Sequence, residues 1–322
     1  MAKQLYLGGK ELILPNARGG QDIKRAYVGG KRLTGQAFPL PASSSGATEE
    51  TVDGFTVVKW TGAHPNNTGT FTPQSTLEYE LFMVGAGGDG KDDAGGGGGG
   101  GEVVFGKILL QAGTTYNVQV GSNNQNDPSI FHNVTAYNGG DGGRGGGSSQ
   151  DGEDGTSGGA GTGGSGGGGG DGGTTSRFGG DSSSTNGILN GFSRYGNDGG
   201  LSAGSPNNGD GAGGGGGAVT AGEDGDQTAM PLAYRLGGDG GDGYPNDWLG
   251  STTYYGGGGG GSAGGAGASA GSGGLGGGNG AVGSANAQSA AANTGGGGGG
   301  SDSGTFGQGA DGIVLIRYRK GA

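Results

Sequence analysis

His64 and His132 are the only histidines in a chain of 322 residues, and there is no cysteine. Thiol nucleophiles, thiolate metal sites and disulfides are therefore excluded. Neither histidine lies in a metal-ligand spacing or a nucleophile motif, so each is read as a surface or strand residue rather than a base. Acidic residues are abundant, and paired carboxylates can hydrolyse glycosides. No pair is marked by spacing, so the expectation is a non-enzyme, with polysaccharide cleavage left as an alternative. The stretch GGDGGDGYP (Gly237 to Pro245) fits a calcium repeat and offers Asp239 and Asp242. Such repeats bind calcium by stacking successive copies. With a single copy here, no metal and no cofactor are expected.

The remaining chemistry is recognition. Phe178, Phe192, Arg194, Tyr195, Tyr234, Arg235, Tyr244, Trp248, Tyr254 and Tyr255 lie in segments between glycine runs. Aromatic faces can stack on sugar rings, and Tyr, Trp and Arg dominate protein hot spots. These ten are the candidate receptor-binding residues. The competing reading is that they pack over the ends of the glycine region and shield it.

What must position them is unusual. Glycine supplies 97 residues, and the other hydrophobic residues 29%. One large apolar core is excluded; any core must be local. A collagen triple helix needs glycine at every third position, whereas Gly95 to Gly101 is unbroken and there are only 9 prolines. The net charge of -11 argues against nucleic acid and anionic membranes as partners. No stretch approaches the roughly 20 apolar residues of a membrane span. The opening MAKQLYLGGKELIL carries no long apolar segment, so no signal peptide is expected and synthesis in the cytoplasm is.

Along the chain, LYLGGKELI (Leu5 to Ile13) recurs as AYVGGKRLT (Ala26 to Thr34). Gly-Gly between short strands predicts two hairpins. Residues 42–53 read as a linker. Strand patterns follow at Gly54 to Gly62, at Ser75 to Gly88, twice within Glu102 to Ser122, and once within Ser129 to Gly140. From about Gly139 to Gly304 glycine dominates, with runs at 166–170, 213–217, 256–261 and 295–300. The last strand, Ile313-Val314-Leu315-Ile316, is fit only for burial.

An ordered glycine costs roughly 1–2 kcal/mol of backbone entropy and brings no side chain to bury. Backbone hydrogen bonds, each worth about 0.5–1.5 kcal/mol net, are the available return. Glycine chains can approach to backbone contact distance and bond to one another, but the balance is close enough that a true core must support them. The expected arrangement is a sheet that clamps an ordered glycine insertion at both ends, with the variable segments as loops.

The stretches ELFMVGAGGDG, AGGGGGGGEVVFGKILLQAGTTYNVQVGSN and GADGIVLIRYR resemble the glycine-rich domain of many phage tail proteins. The alternation of runs and loops resembles glycine-rich bacteriophage receptor-binding adhesins. The likeness covers about Phe55 to Lys320. The short strands with turn signals between them argue for a sandwich or partial barrel, and the likeness adds a bundle of polyglycine II helices with exposed loops; the expected fold is all-β, a small β-sandwich whose strands bracket that bundle. The likeness also implies a virion protein of the tail fibre or tip that binds a host-cell glycan or protein, with a purely structural fibre, collar or decoration protein as the alternative. The two hairpins are similar to segments that attach tail proteins to the particle, which makes Tyr6, Leu7, Lys10, Tyr27, Val28 and Lys31 candidate contacts to other virion proteins. The expected domains are 1–41 for attachment, 42–53 as linker, 54–140 with 305–322 as frame, and 141–304 as the bundle. A homo-oligomer is compatible with this plan.

Overall fold

The computed structural model describes residues 5–7, 10–12, 26–28, 31–33, 42–62, 67–123, 127–145, 151–153, 165–170, 178–181, 187–203, 211–225, 235–265 and 267–319. The chain divides into two units, Met1–Phe38 and Pro39–Ala322. In the first, β1 (Leu5–Leu7) pairs with β2 (Lys10–Leu12), and β3 (Ala26–Val28) pairs with β4 (Lys31–Leu33). The registers Leu7↔Lys10 and Val28↔Lys31 make each repeat an antiparallel hairpin, as the Gly-Gly pairs imply.

The second unit begins with β5 (Ser43–Ser45), β6 (Thr48–Val52), β7 (Phe55–Thr61), β8 (Thr68–Thr72) and β9 (Leu77–Val84). It continues with β10 (Val103–Leu110), β11 (Tyr116–Gln119), β12 (Ser129–Phe131) and β13 (Val134–Ala136). Then come β14 (Gly187–Leu189), β15 (Phe192–Tyr195), β16 (Tyr244–Asn246), β17 (Thr253–Tyr255) and β18 (Ile313–Arg319). Residues 42–53, read as a linker, thus supply β5 and β6, one to each large sheet. The single strand expected within Ser129 to Gly140 is a hairpin, β12–β13, because His132 turns the chain with φ 55°.

One open sheet has the order β14-β15-β10-β9-β18-β7-β6, the other β13-β12-β11-β8-β5. Every strand pairing within them is antiparallel. The last strand lies in the middle of the larger sheet, between β7 and β9. Its period of two explains its composition. Val314, Ile316 and Tyr318 face the smaller sheet and share a core with Trp60, Phe71, Tyr79, Val118 and Phe131. Phe71 lies edge-on to Trp60 and Tyr79, with centroids 6.0 and 5.5 Å apart. Ile313 and Leu315 face the other way and join Val57, Phe82, Val84 and Val103 in a second buried layer. Both faces of the strand are covered, so the run has no polar side to show.

The expected polyglycine II helix bundle is not present. The described residues form open sheets joined by irregular segments, and their named elements are strands throughout, with no α-helix. The hydrogen bonds of residues 95–101 show what holds the runs together instead. No N–H there bonds back along its own run. Gly96, Gly97 and Gly98 donate to Gly143, Gly213 and Gly298, and Gly99, Gly100 and Gly101 donate to Gly140, Gly216 and Gly295. Three neighbouring segments are thus served in rotation, each by every third residue. The runs form a laterally cross-bonded lattice of peptide groups.

Glycine is required there by space. A Cβ on Gly97 would fall on the carbonyl of Gly259, one on Gly259 on that of Gly298, and one on Gly298 on that of Gly307. In the inner runs alanine and serine stand near the ends, where Ala86, Ser165, Ala212, Ala218, Ser262, Ala281 and Ser301 are buried; the outer segment 285–290, bonded through Ala287, Gln288 and Ala290, holds alanine and serine throughout.

Candidate functional site

The lattice has two ends, fixed by which residues bond at the same level. At the sheet end Gly85 N–H donates to the Glu102 carbonyl, Gly101 to Gly295, Ala218 to Gly256 and Gly256 to Thr294. At the far end Gly95 donates to Ser301, Ser262 to Gly95, Ala212 to Ser262, Ala281 to Gly300 and Gly237 to Ser269. The described candidate residues divide between these two ends.

Phe192, Arg194 and Tyr195 lie on β15, which pairs with β10 and extends the large sheet. Arg194 is buried, and its Nη1 donates to both carboxylate oxygens of Glu102 at 3.0 and 3.1 Å and to the Thr135 carbonyl at 3.0 Å. Glu102 is fully buried and also accepts the Tyr137 N–H at 3.1 Å. The carboxylate therefore ties β15, β13 and the start of β10 together where sheet becomes lattice. The sequence reading passed over Glu102. Its signal is a single acid between seven glycines and an apolar strand.

Tyr244, Trp248, Tyr254 and Tyr255 belong to the β16–β17 hairpin, which roofs the outer layer of the large sheet. Phe82 meets Tyr255, Trp248 and Tyr244 with centroids 5.2, 6.0 and 6.3 Å away. Phe105 stacks on Tyr195 at 5.8 Å and an interplanar angle of 9°. The Arg317 guanidinium sits between Trp248 at 4.2 Å and Phe55 at 4.5 Å, and its Nε donates to Glu80 at 2.6 Å. Burial raises the Tyr255 hydroxyl above its usual pKa, with a partly opposing contribution from Thr253. Phe192 and Tyr255 are buried, while Tyr195, Tyr244, Trp248 and Tyr254 are half-buried.

The far end differs. Phe178 is 69% exposed, and its backbone accepts from Gly152 N–H and donates to Asp151 Oδ1 at 3.0 Å. Arg235 is half-buried, with its carbonyl accepting from Ser269 N–H and its Nη1 donating to the Gly264 carbonyl at 3.3 Å. Leu236 and Leu201 are exposed beside these turns. Tyr234 lies outside the described residues, as does His64. Tyr6, Leu7, Lys10, Tyr27, Val28 and Lys31 fall on the strands of the two N-terminal hairpins.

Acidic and amide side chains finish the lattice laterally. Asp239 and Asp242, three residues apart, accept the N–H groups of Ser272 and Leu275, also three apart, at 2.6 and 3.1 Å. Asn286 and Ser289 do the same for Thr305 and Gln308, both at 3.0 Å. Asp224 takes Leu201 N–H at 2.7 Å and Asp141 takes Asp89 N–H at 2.8 Å. Where an outer run has no further neighbour to bond, a short polar side chain reaches across instead. These four aspartates thus serve the backbone. Among the described residues no cluster of three or more His, Asp or Glu could hold a metal ion.

Neither a curated protein nor a solved structure matches the chain. The family model described as a glycine-rich domain matches residues 65–319, from β8 through the lattice to the closing strand. The chain belongs to the glycine-rich domain family.

Proposed function

We propose that this chain is a virion protein of a bacteriophage tail, at the fibre or tip, and that its far-end loops contact a receptor on the host cell. The observation that carries this reading is the contrast between the two lattice ends. One is closed over by its own aromatic residues, and the other carries an exposed Phe178 on a backbone-bonded support. The phage assignment draws on the likeness of the framing strands to phage tail domains. Receptor contact then falls to Phe178 and Arg235, and to Tyr234 as the neighbour of Arg235 in sequence. The N-terminal hairpins are read as the attachment to other tail proteins, and the chain as neither an enzyme nor a cofactor carrier.

The purely structural alternative is favoured by one observation. Phe192, Arg194 and Tyr255, three of the ten candidates, are consumed by internal packing. One experiment separates the readings: adsorption of particles carrying Phe178→Ala, Tyr234→Ala and Arg235→Ala together. The expected result is a loss of adsorption of at least about tenfold with particles still assembled. Normal adsorption by assembled particles would leave the structural alternative standing. Incubation with host polysaccharide, expected to leave its chain length unchanged, tests the absence of catalysis.

A further inference from the structure

The smaller sheet buries one face and leaves the other bare, and the bare face is chemically uniform. Residues directly opposite on antiparallel strands share a face, so the register assembles two cross-strand rows. Thr70 is opposite both Ser45 and Asn117, giving the row Ser45–Thr70–Asn117. Gln119 is opposite both Thr68 and Ile130, giving the row Thr68–Gln119–Ile130. These residues, with Thr114, Thr115 and His132, line a groove of about 800 Å³. Hydroxyl pairs brace its floor: Ser45 Oγ with Thr70 Oγ1 at 2.8 Å, and Thr72 Oγ1 with Thr115 Oγ1 at 2.9 Å. At one side the His132 imidazole stands edge-on to Tyr116, 5.1 Å away, and with Ile130 supplies an apolar wall.

We propose that this groove binds an uncharged oligosaccharide. Three features favour that occupant. First, among the described residues no Lys, Arg, Asp or Glu lines the groove, in a chain whose net charge is -11. A site for an ionic ligand would carry the opposite charge. Second, the lining is hydroxyl and carboxamide. Each such group both donates and accepts, as every sugar hydroxyl does, so either partner can adapt to the other. Third, the groove crosses β8 and β11, which are interior strands with neighbours on both sides. Their peptide groups are already paired, so along β8 and β11 the groove offers side chains alone; the free strand edge that a peptide adding to a sheet requires lies, at this groove, only on the outer side of β5. Four strands at about 4.8 Å spacing give a floor roughly 14 Å across, suited to a short sugar chain rather than a single small molecule. This site is separate from the far-end loops and does not depend on their role.

The test is titration of the full chain with neutral hexasaccharides of glucose, N-acetylglucosamine, galactose and mannose, followed by calorimetry at low and high salt. The expected result is saturable, salt-insensitive binding of at least one sugar. The double variant Asn117→Ala, Gln119→Ala, which removes two side chains from the open face, should weaken that binding about tenfold or more with the melting temperature retained. Phe178→Ala should leave it unchanged, which keeps this result distinct from adsorption through the far-end loops. Failure of every sugar to bind, binding that survives the double variant, or attraction only to acidic sugars with salt dependence would each overturn the proposal. So would capture of an extended peptide at the groove in place of sugar.

Discussion

The two sheets and the glycine lattice occupy one unit of the chain but are held by opposite means. In the sheets cohesion comes from side chains: Trp60, Phe71, Tyr79, Phe82 and Leu315 are almost wholly buried. In the lattice it comes from peptide groups that meet because side chains are missing. The lesson is that substitution should act with opposite sign in the two regions. In the sheets removing atoms is costly, and in the lattice adding them is.

The strongest break of that comparison is Gly98→Val. Gly98 donates to Gly298 and accepts from Gly259, and a Cβ there would run into the Gly88 carbonyl. Backbone cannot swing aside as a side chain can, so the variant should lose more than about 3 kcal/mol and yield little folded protein. Normal yield and melting would show that the runs are loosely spaced. Glu102→Ala comes next. It leaves the Arg194 guanidinium buried without its carboxylate, and the expected loss is about 3–5 kcal/mol in a denaturant titration. The change Leu315→Ala removes buried atoms from the outer layer of the large sheet and should cost about 2–5 kcal/mol by the same assay.

Alkaline titration sharpens the contrast further, from the side of the sheets. Burial, and then the neighbouring Tyr318, raise the pKa of Tyr79 from 10.0 to about 12. The folded state therefore holds this proton more tightly than the unfolded chain does. Its stabilisation is complete below pH 10 and declines as pH climbs towards 12. Tyr79→Phe should flatten that decline. The smallest effect is expected for Phe178→Ala, within about 0.5 kcal/mol, because this ring is exposed and its segment is held through the backbone.

How much of this was readable in advance follows the same division. The strands at Phe55–Thr61, Leu77–Val84 and Ile313–Arg319 announce themselves by β-branched and aromatic residues, and the closing role of the last strand follows from its apolar run. The short polar strands do not. Ser43–Ser45 has no hydrophobic pattern and is a strand only because Thr70 and Phe71 offer it an edge. Glycine runs report that chains meet closely, but not which chain meets which. The pairing of Gly97 with Gly213 rather than Gly140 depends on where each run leaves the sheet.

Among the site candidates, composition marked aromatic residues between runs. It could not tell those that turn back onto Phe82 from those that point away, because that depends on the end of the lattice at which a segment emerges. The open face of the smaller sheet was hidden for a related reason. Its residues are ordinary threonines and amides, scattered from Ser45 to His132, and they become neighbours only through strand register.

The central claim is that lateral peptide hydrogen bonds order the glycine runs. Amide hydrogen exchange of the full chain, resolved to the segments 95–101, 213–217, 256–261 and 295–300, tests it most directly. The account predicts slow exchange in these segments, approaching that of Leu77–Val84 and Ile313–Arg319. Exchange at the rate of an unstructured glycine peptide, beside protected strands, would contradict it.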